Sequence, residues 1–300
     1  MPAHVIALFG PTGVGKTDVA IALADRLRER GERPVAVSAD ALQVYAGLEI
    51  LTGIPSEAQL ARLEHRLISF LPVTERFSVA EYAARAHAEI DGLLAEGATP
   101  IVAGGTGLYL RAALAELELR PPPPAGVRER LEAELTEQGP EALHARLAHA
   151  APWAAETIEP RDRHRIVRSL ELLEQGALDE PDGPNRLWTD DTRHPTRLVG
   201  LTRDRDELYA RIERRVDAMV AAGAAEEVRR ADAAGASATA RVALGFAELL
   251  DGDVDAMKQR TRRYARRQLT WMRKLPGVEL VDIAGREPDE VAAAIDSAPA

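Results

Sequence analysis

The sequence predicts an α/β fold, with a parallel sheet interleaved with helices and interrupted by a helical insertion. Short apolar runs alternate with helical patterns, and a glycine-rich loop separates the first run from the first helix. A proline run at 121–124 then opens a long section of helical periodicity alone. Val5-Ile-Ala-Leu-Phe9 is the first strand, apolar throughout as a strand buried on both faces should be. Gly10, Pro11, Thr12, Gly13, Val14, Gly15, Lys16 and Thr17 follow, and Val19, Leu23 and Leu27 then mark one face of a helix. Pro34–Ala39 is a second strand, expected beside the first, with Asp40 at its carboxyl end. Ser78 and Glu81 have capping-box spacing and open an alanine-rich helix to about Ala95. Residues 100–103 form a third strand that runs into Gly104-Gly-Thr-Gly107. Strands joined through helices imply right-handed crossovers, and ligands of such sheets collect beyond the carboxyl ends of the strands. The glycine-rich loop, Asp40 and Thr106 should converge there.

Arg120 and the four prolines after it form a stiff spacer without backbone donors. Beyond it, Leu131 and Leu135, Leu143 and Leu147, then Ile166, Leu170 and Leu173 keep helical spacing. A stretch rich in proline, glycine and aspartate at 179–195 closes this section, and 197–201 returns as a strand. The expected division is a core of 1–120 and 197–300 with a helical insertion at 121–196. Helices then run to Lys274, followed by a last strand at 278–283 and a frayed alanine-proline terminus.

Three hundred residues exceed one comfortable core, and 46% hydrophobic with 29% charged residues marks a globular chain. Zero cysteines exclude disulfides, thiolate zinc sites and cysteine nucleophiles, and suit a reducing cytosol. No apolar run approaches the roughly 20 residues that span a bilayer. The opening apolar run is too short, and lacks the basic leader, for a signal peptide. A net charge of −10 argues at first against nucleic acid. Residues 258–274, however, hold eight basic side chains and no acidic one, which leaves −18 on the rest of the chain. Helical geometry puts Met257, Ala265, Leu269 and Met272 on one face, with the arginines on others. A polyanion partner is favoured over a solvated face, with Arg161, Arg163, Arg165 and Arg168 as a second strip.

The eight-residue loop at 10–17 matches the phosphate-loop pattern, in its strand-loop-helix context. Its amides curl around phosphate oxygens, Lys16 reaches the outer phosphate, and Thr17 can ligate Mg2+. The core is thus P-loop NTPase-like. The loop alone leaves a nucleotide kinase, an NTPase or a transferase of another diphosphate open. Asp40 suits a general base or metal ligand, and equally a cap of its turn. Gln43 can read an adenine edge or be merely solvated, and Thr106 offers a hydroxyl to a substrate.

These residues together resemble the bacterial tRNA dimethylallyltransferase family. The resemblance rests on Gly-Pro-Thr-x-x-Gly-Lys-Thr at 10–17, Ser38-x-Asp40-x-x-Gln43-Val44-Tyr45 and Pro100-Ile-Val-x-Gly-Gly-Thr-Gly-Leu-Tyr-Leu110. It continues through Asp162-x-x-Arg165-Ile-Val-Arg168, Arg211-Ile-Glu-x-Arg215-Val-Asp-x-Met219 and Thr261-Arg-Arg-Tyr-Ala-Arg-Arg-Gln-Leu-Thr-Trp271. It implies dimethylallyl diphosphate as donor and the adenosine 3′-adjacent to the anticodon as acceptor, reached by flipping into a channel between domains. Asp40 would act as general base, Thr106 would hold the diphosphate or base, and Lys16, Thr17, Mg2+ and Arg215 would neutralise the leaving group. Contacts to the tRNA anticodon stem-loop are implied for Asp40, Ala41, Leu42, Gln43, Thr106, Arg128, His164, Arg165, Ile166, Val167, Arg168, Arg263, Arg266, Arg267, Gln268 and Trp271. A cytoplasmic monomer is the expected state.

The chain departs from the family where Thr52-Gly-Ile-Pro55 stands for the usual Thr-Ala-Lys-Pro. Ala41 also replaces a serine, and Glu64-His-Arg-Leu67 replaces His-His-Leu. A small-molecule or nucleotide kinase, and an RNA-binding protein without activity, are the competing readings.

Overall fold

The structure, a computed structural model, describes residues 4–120, 122–124, 126–180 and 186–297. Pro121 of the spacer, 181–185 of the proline-glycine stretch and the expected frayed terminus at 298–300 lie outside the described residues. The chain forms two compact units, Met1–Leu117 with Leu187–Ala300, and Glu118–Arg186.

The first unit opens with β1 (Val5–Phe9), α1 (Lys16–Glu29), β2 (Pro34–Ala39) and β3 (Tyr45–Ala46). Short pieces follow: α2 (Glu49–Thr52), α3 (Glu57–Arg62), β4 (His65–Arg66) and β5 (Leu71–Pro72). Then come α4 (Val79–Ala95), β6 (Thr99–Gly104) and α5 (Gly107–Leu114). Ser78 caps α4 in the expected box with Glu81. The second unit consists of α6 (Val127–Gln138), α7 (Pro140–Ala150), α8 (Pro152–Glu156) and α9 (Arg163–Glu174). The first unit resumes with β7 (Thr196–Thr202), α10 (Arg205–Ala221), α11 (Ala224–Ala233), α12 (Phe246–Leu250), α13 (Val254–Lys274), β8 (Glu279–Asp282) and α14 (Pro288–Ser297).

The sheet is parallel, in the order β4-β2-β6-β1-β7-β8. This corrects the expectation that β2 neighbours β1: β6 lies between them and pairs with both. Its last residue, Gly104, is in register with Phe9 on one side and Ala39 on the other, so the phosphate loop and Asp40 leave the sheet at one level. Alternating helices cover a core of Leu8, Ile21, Leu23, Leu27, Ile101, Val199 and Leu201. Helix α14, absent from the sequence reading, adds Val291, Ala292 and Ile295 to that core.

In the helical unit Leu131, Leu135, Leu143, Leu147, Ile166 and Leu170 form a separate core, on the spacing that predicted them. The return boundary falls at Leu187 rather than 196. Residues beyond it are bound to the α/β unit: Trp188 stacks on Trp271 at 4.5 Å between ring centroids, and Arg193 pairs with Asp91 and Glu116. At the other end, Arg120 belongs with the helices, since its carbonyl accepts from Arg168 and its guanidinium pairs with Asp179.

Candidate active site and nucleic-acid interface

Gly15, left-handed at φ 115°, ends the phosphate loop and lets Lys16 open α1. The Lys16 ammonium folds back on the loop, donating to the carbonyls of Gly10 (2.8 Å) and Pro11 (3.1 Å). Burial brings its pKa down to about 8, against the pull of Asp40 and aided by Arg215. The Val14 side chain sits in the core, and its N–H bonds the Pro11 carbonyl at 3.3 Å. Two distant side chains brace the loop: Arg211 Nε donates to the Gly13 carbonyl (3.0 Å), and Gln268 Oε1 accepts from the Thr12 N–H (2.8 Å).

Asp40 takes the capping role that its turn allowed and also lines the cavity. Its Oδ1 accepts from the N–H groups of Leu42 (2.9 Å) and Gln43 (3.4 Å), capping the turn, while the residue lines the same cavity as the loop. Gln43 is engaged on both ends of its amide, accepting from Ser38 Oγ (2.8 Å) and donating to the Gly53 carbonyl (3.3 Å). Arg215 donates to that same carbonyl at 3.3 Å. Gly53 is left-handed at φ +60°, and the Arg215 guanidinium occupies the place a Cβ would take. The 49–53 segment is itself held by the buried Glu227, whose carboxylate accepts from the N–H groups of Ile50 (2.9 Å) and Leu51 (2.7 Å).

The cavity has a volume of about 780 Å³. Lys16, Thr17, Asp40, Arg211 and Arg215 line its polar part, and Ile50, Leu51, Ile54, Met219 and Leu244 supply an apolar wall. Thr106 stands one hydrogen bond behind this lining: its Oγ1 lies 2.8 Å from the hydroxyl of Tyr264, which does line the cavity. The threonine also takes the N-cap position of α5, so the Gly-Gly-Thr-Gly turn leads straight into a helix.

Helix α13 carries the basic stripe. Lys258, Arg260 and Arg262 are paired with Asp217, Glu248 and Glu213. Arg263, Arg266, Arg267 and Arg273 are exposed and, among the described residues, have no carboxylate partner. Arg267 lies over the Tyr264 ring at 5.6 Å, and Lys274 over Trp188 at 5.5 Å. Trp271 packs against the start of α5 at Gly107. Gln268 is buried with its amide on the phosphate loop, and it lines the cavity there.

Within the helical unit His164 and Arg165 are exposed at the start of α9. Ile166 and Val167 are buried in that unit's core. Arg128 and Arg168 both bond the fully buried Glu171, at 2.6 and 2.9 Å. Ala41 and Leu42 are half-buried beside Asp40. Arg211 and Tyr264 stand in the quoted motifs but were given no role, and Glu227 escaped the sequence reading.

A family model described as "IPP transferase" matches residues 43–275, beginning after the phosphate loop. A tRNA dimethylallyltransferase of Thermobifida fusca (strain YX) is 43% identical over 287 residues, covering 91% of this chain and 88% of the relative. That of Kineococcus radiotolerans is 42% identical, covering 91% and 89%. Among solved structures, the full-length tRNA isopentenylpyrophosphate transferase from Bacillus halodurans superposes with a TM-score of 0.70 at 32% identity, over 98% of this chain and 94% of that one. A eukaryotic dimethylallyltransferase acting on tRNA shares the fold, with a TM-score of 0.68 at 21% identity, over 94% and 74%. The α/β unit is P-loop NTPase-like, as expected.

Proposed function

Because the chain belongs to the tRNA dimethylallyltransferase family, we propose that it transfers a dimethylallyl group from dimethylallyl diphosphate to the exocyclic amine of the adenosine 3′-adjacent to the anticodon. The observation that carries this reading is a single cavity in which a phosphate loop, a carboxylate and an apolar wall meet. A short hydrocarbon esterified to diphosphate has both halves of that chemistry. The amine nitrogen forms a bond to the allylic carbon, the carbon-oxygen bond to diphosphate breaks, and the amine proton passes to Asp40. An aryl amine is a weak nucleophile, so the carboxylate has to orient it as well as take its proton. Lys16 and Arg215 stabilise the charge that gathers on the departing diphosphate, in surroundings dry enough to depress the pKa of both.

Thr17, in the cavity beside Asp40, supplies the kind of hard oxygen donor that Mg2+ takes, and such an ion would screen the diphosphate charge. The anticodon stem-loop rests on Arg263, Arg266 and Arg267 of α13, with Trp271 among them. His164, Arg165, Arg168 and Arg128 of the helical unit supply further contacts. The protein acts in the cytoplasm as a monomer; among the described residues no helix is long and apolar enough to cross a membrane.

The test is incubation of the purified protein with dimethylallyl diphosphate, Mg2+ and an unmodified anticodon stem-loop, followed by mass analysis of the RNA. One added dimethylallyl group on the adenosine beside the anticodon is expected. Consumption of ATP with phosphoryl transfer and unaltered RNA would favour the kinase instead.

A further inference from the structure

Helix α2 begins without a cap of its own. Leu48, at its N-cap position, has no side-chain oxygen, so the N–H groups of the first turn need an acceptor from elsewhere. Glu227, in the first turn of α11, supplies it: Oε1 accepts from the Ile50 N–H (2.9 Å) and Oε2 from the Leu51 N–H (2.7 Å). A backbone N–H only donates, so the sense of both bonds is fixed. Leu48, Leu51 and Glu227 are all buried, which leaves little room for water to take the carboxylate's place.

The other end of the segment is held from the preceding helix. Arg215 of α10 and Gln43 both donate to the Gly53 carbonyl (3.3 Å each), and the Gln43 N–H bonds Asp40 Oδ1 (3.4 Å). Helices α10 and α11 thus grip one short stretch at both ends, by its N–H groups and by its carbonyl. Between and just beyond the two grips, Ile50, Leu51 and Ile54 line the cavity, with Met219 of α10 in the same lining. Glu227 is not in that lining, so its carboxylate acts on the site only through α2. A cavity of about 780 Å³ does not exclude a longer hydrocarbon by volume, so a limit on tail length has to come from a wall fixed in place.

We propose that Glu227 is a positioning residue that sets the donor specificity of the site. By capping α2 from α11 it holds the apolar wall at a fixed depth, so that a dimethylallyl tail fits and a longer isoprenoid tail does not. The same latch keeps the Gly53 carbonyl where Arg215 rests on it, which ties the wall to the diphosphate end of the cavity. The proposal rests on the transferase reading above and assigns it one further residue.

The test measures steady-state transfer from dimethylallyl and from geranyl diphosphate to an anticodon stem-loop by the full-length protein, with stem-loop binding and thermal unfolding followed in parallel. The unaltered protein should prefer dimethylallyl diphosphate by about 100-fold or more in kcat/KM. Glu227→Gln keeps the volume but offers one acceptor oxygen in place of two and sets amide hydrogens against the second N–H. It should raise the KM for dimethylallyl diphosphate about tenfold, leave kcat within about threefold and cut the donor preference about tenfold. Glu227→Asp, which keeps the charge on a shorter arm, should fall between, and stem-loop affinity should hold in both. Lower stability by itself does not move the donor ratio, so a Glu227→Gln protein with unaltered KM and preference overturns the proposal. Equal use of both donors by the unaltered chain overturns it as well. If Glu227→Gln is too unstable to assay, Glu227→Asp is read by the same criteria. Amide exchange on the unaltered protein needs no variant: the Ile50 and Leu51 N–H groups should exchange at least about 100-fold more slowly than open chain, and unprotected amides overturn the latch. No transfer by the unaltered chain would sink the transferase reading itself, whereas transfer with an unmoved donor preference sinks only the role of Glu227.

Discussion

Lys16 is the side chain whose charge the site most needs and least readily keeps. With a pKa of about 8 it begins to lose its proton just above neutral pH. The protonated form attracts the diphosphate, so above that value binding has to recover a proton from solvent. The KM for dimethylallyl diphosphate is therefore expected to rise by about tenfold per pH unit above the pKa and to level off below it. A steady-state pH profile checks this; in Lys16→Met the KM should be high already at neutral pH and lack that inflection. Gly53 sets a second residue-scale expectation. An added methyl meets left-handed backbone and the Arg215 guanidinium together, so Gly53→Ala should cost roughly 1–3 kcal/mol and raise the diphosphate KM as Arg215 is displaced. Thermal unfolding and kinetics on the same preparation test both halves.

At the scale of elements, α13 divides its work by face. Its buried face holds Thr106 and the phosphate loop, while Arg263, Arg266 and Arg267 on its exposed face have no carboxylate partner among the described residues. Replacing Arg263 and Arg267 with alanine should weaken stem-loop binding and flatten its dependence on salt by about 0.7–0.9 per lost phosphate contact. Binding titrations across ionic strength measure the slope, and an unchanged slope would remove RNA from this helix. Element α2 offers a contrasting case, since its N–H groups are held by Glu227 from a helix far along the chain. Much of this architecture was legible in the sequence. The strand at Val5–Phe9, the phosphate loop, the capped helix after Ser78 and the leucine pairs of the insertion all announce themselves by local spacing. Strand order was not legible: no local pattern says that β6 separates β1 from β2. Nor was the bracing of Thr12 by Gln268, because their 256-residue separation is closed only by tertiary packing. Ile166 and Val167 sit within a basic motif, yet their apolar side chains obey the helical period of the core.

For the molecule as a whole, two cores imply two sources of stability. Leu147, fully buried among the insertion helices, lies outside the cluster that supports the phosphate loop. Leu147→Ala should cost the helical unit about 2–5 kcal/mol. Calorimetry should show the transition of that unit shifting while dimethylallyl diphosphate still protects the α/β unit from unfolding. Charge is partitioned too: a chain of net −10 carries eight basic and no acidic side chains at 258–274, which favours a polyanion on that stretch over the acidic remainder.

The division of the α/β unit also bears on how the protein is made. Strand β1 is made well before β7, which flanks it on one side and follows only after the entire helical unit has been synthesised. Glu118–Arg186 is contiguous and can complete its core during translation. The sheet begun before it must wait, with one edge of β1 uncovered, for Thr196–Thr202 to emerge. Over that interval the nascent chain carries an unpaired edge of β1, the kind of edge that invites pairing with another chain.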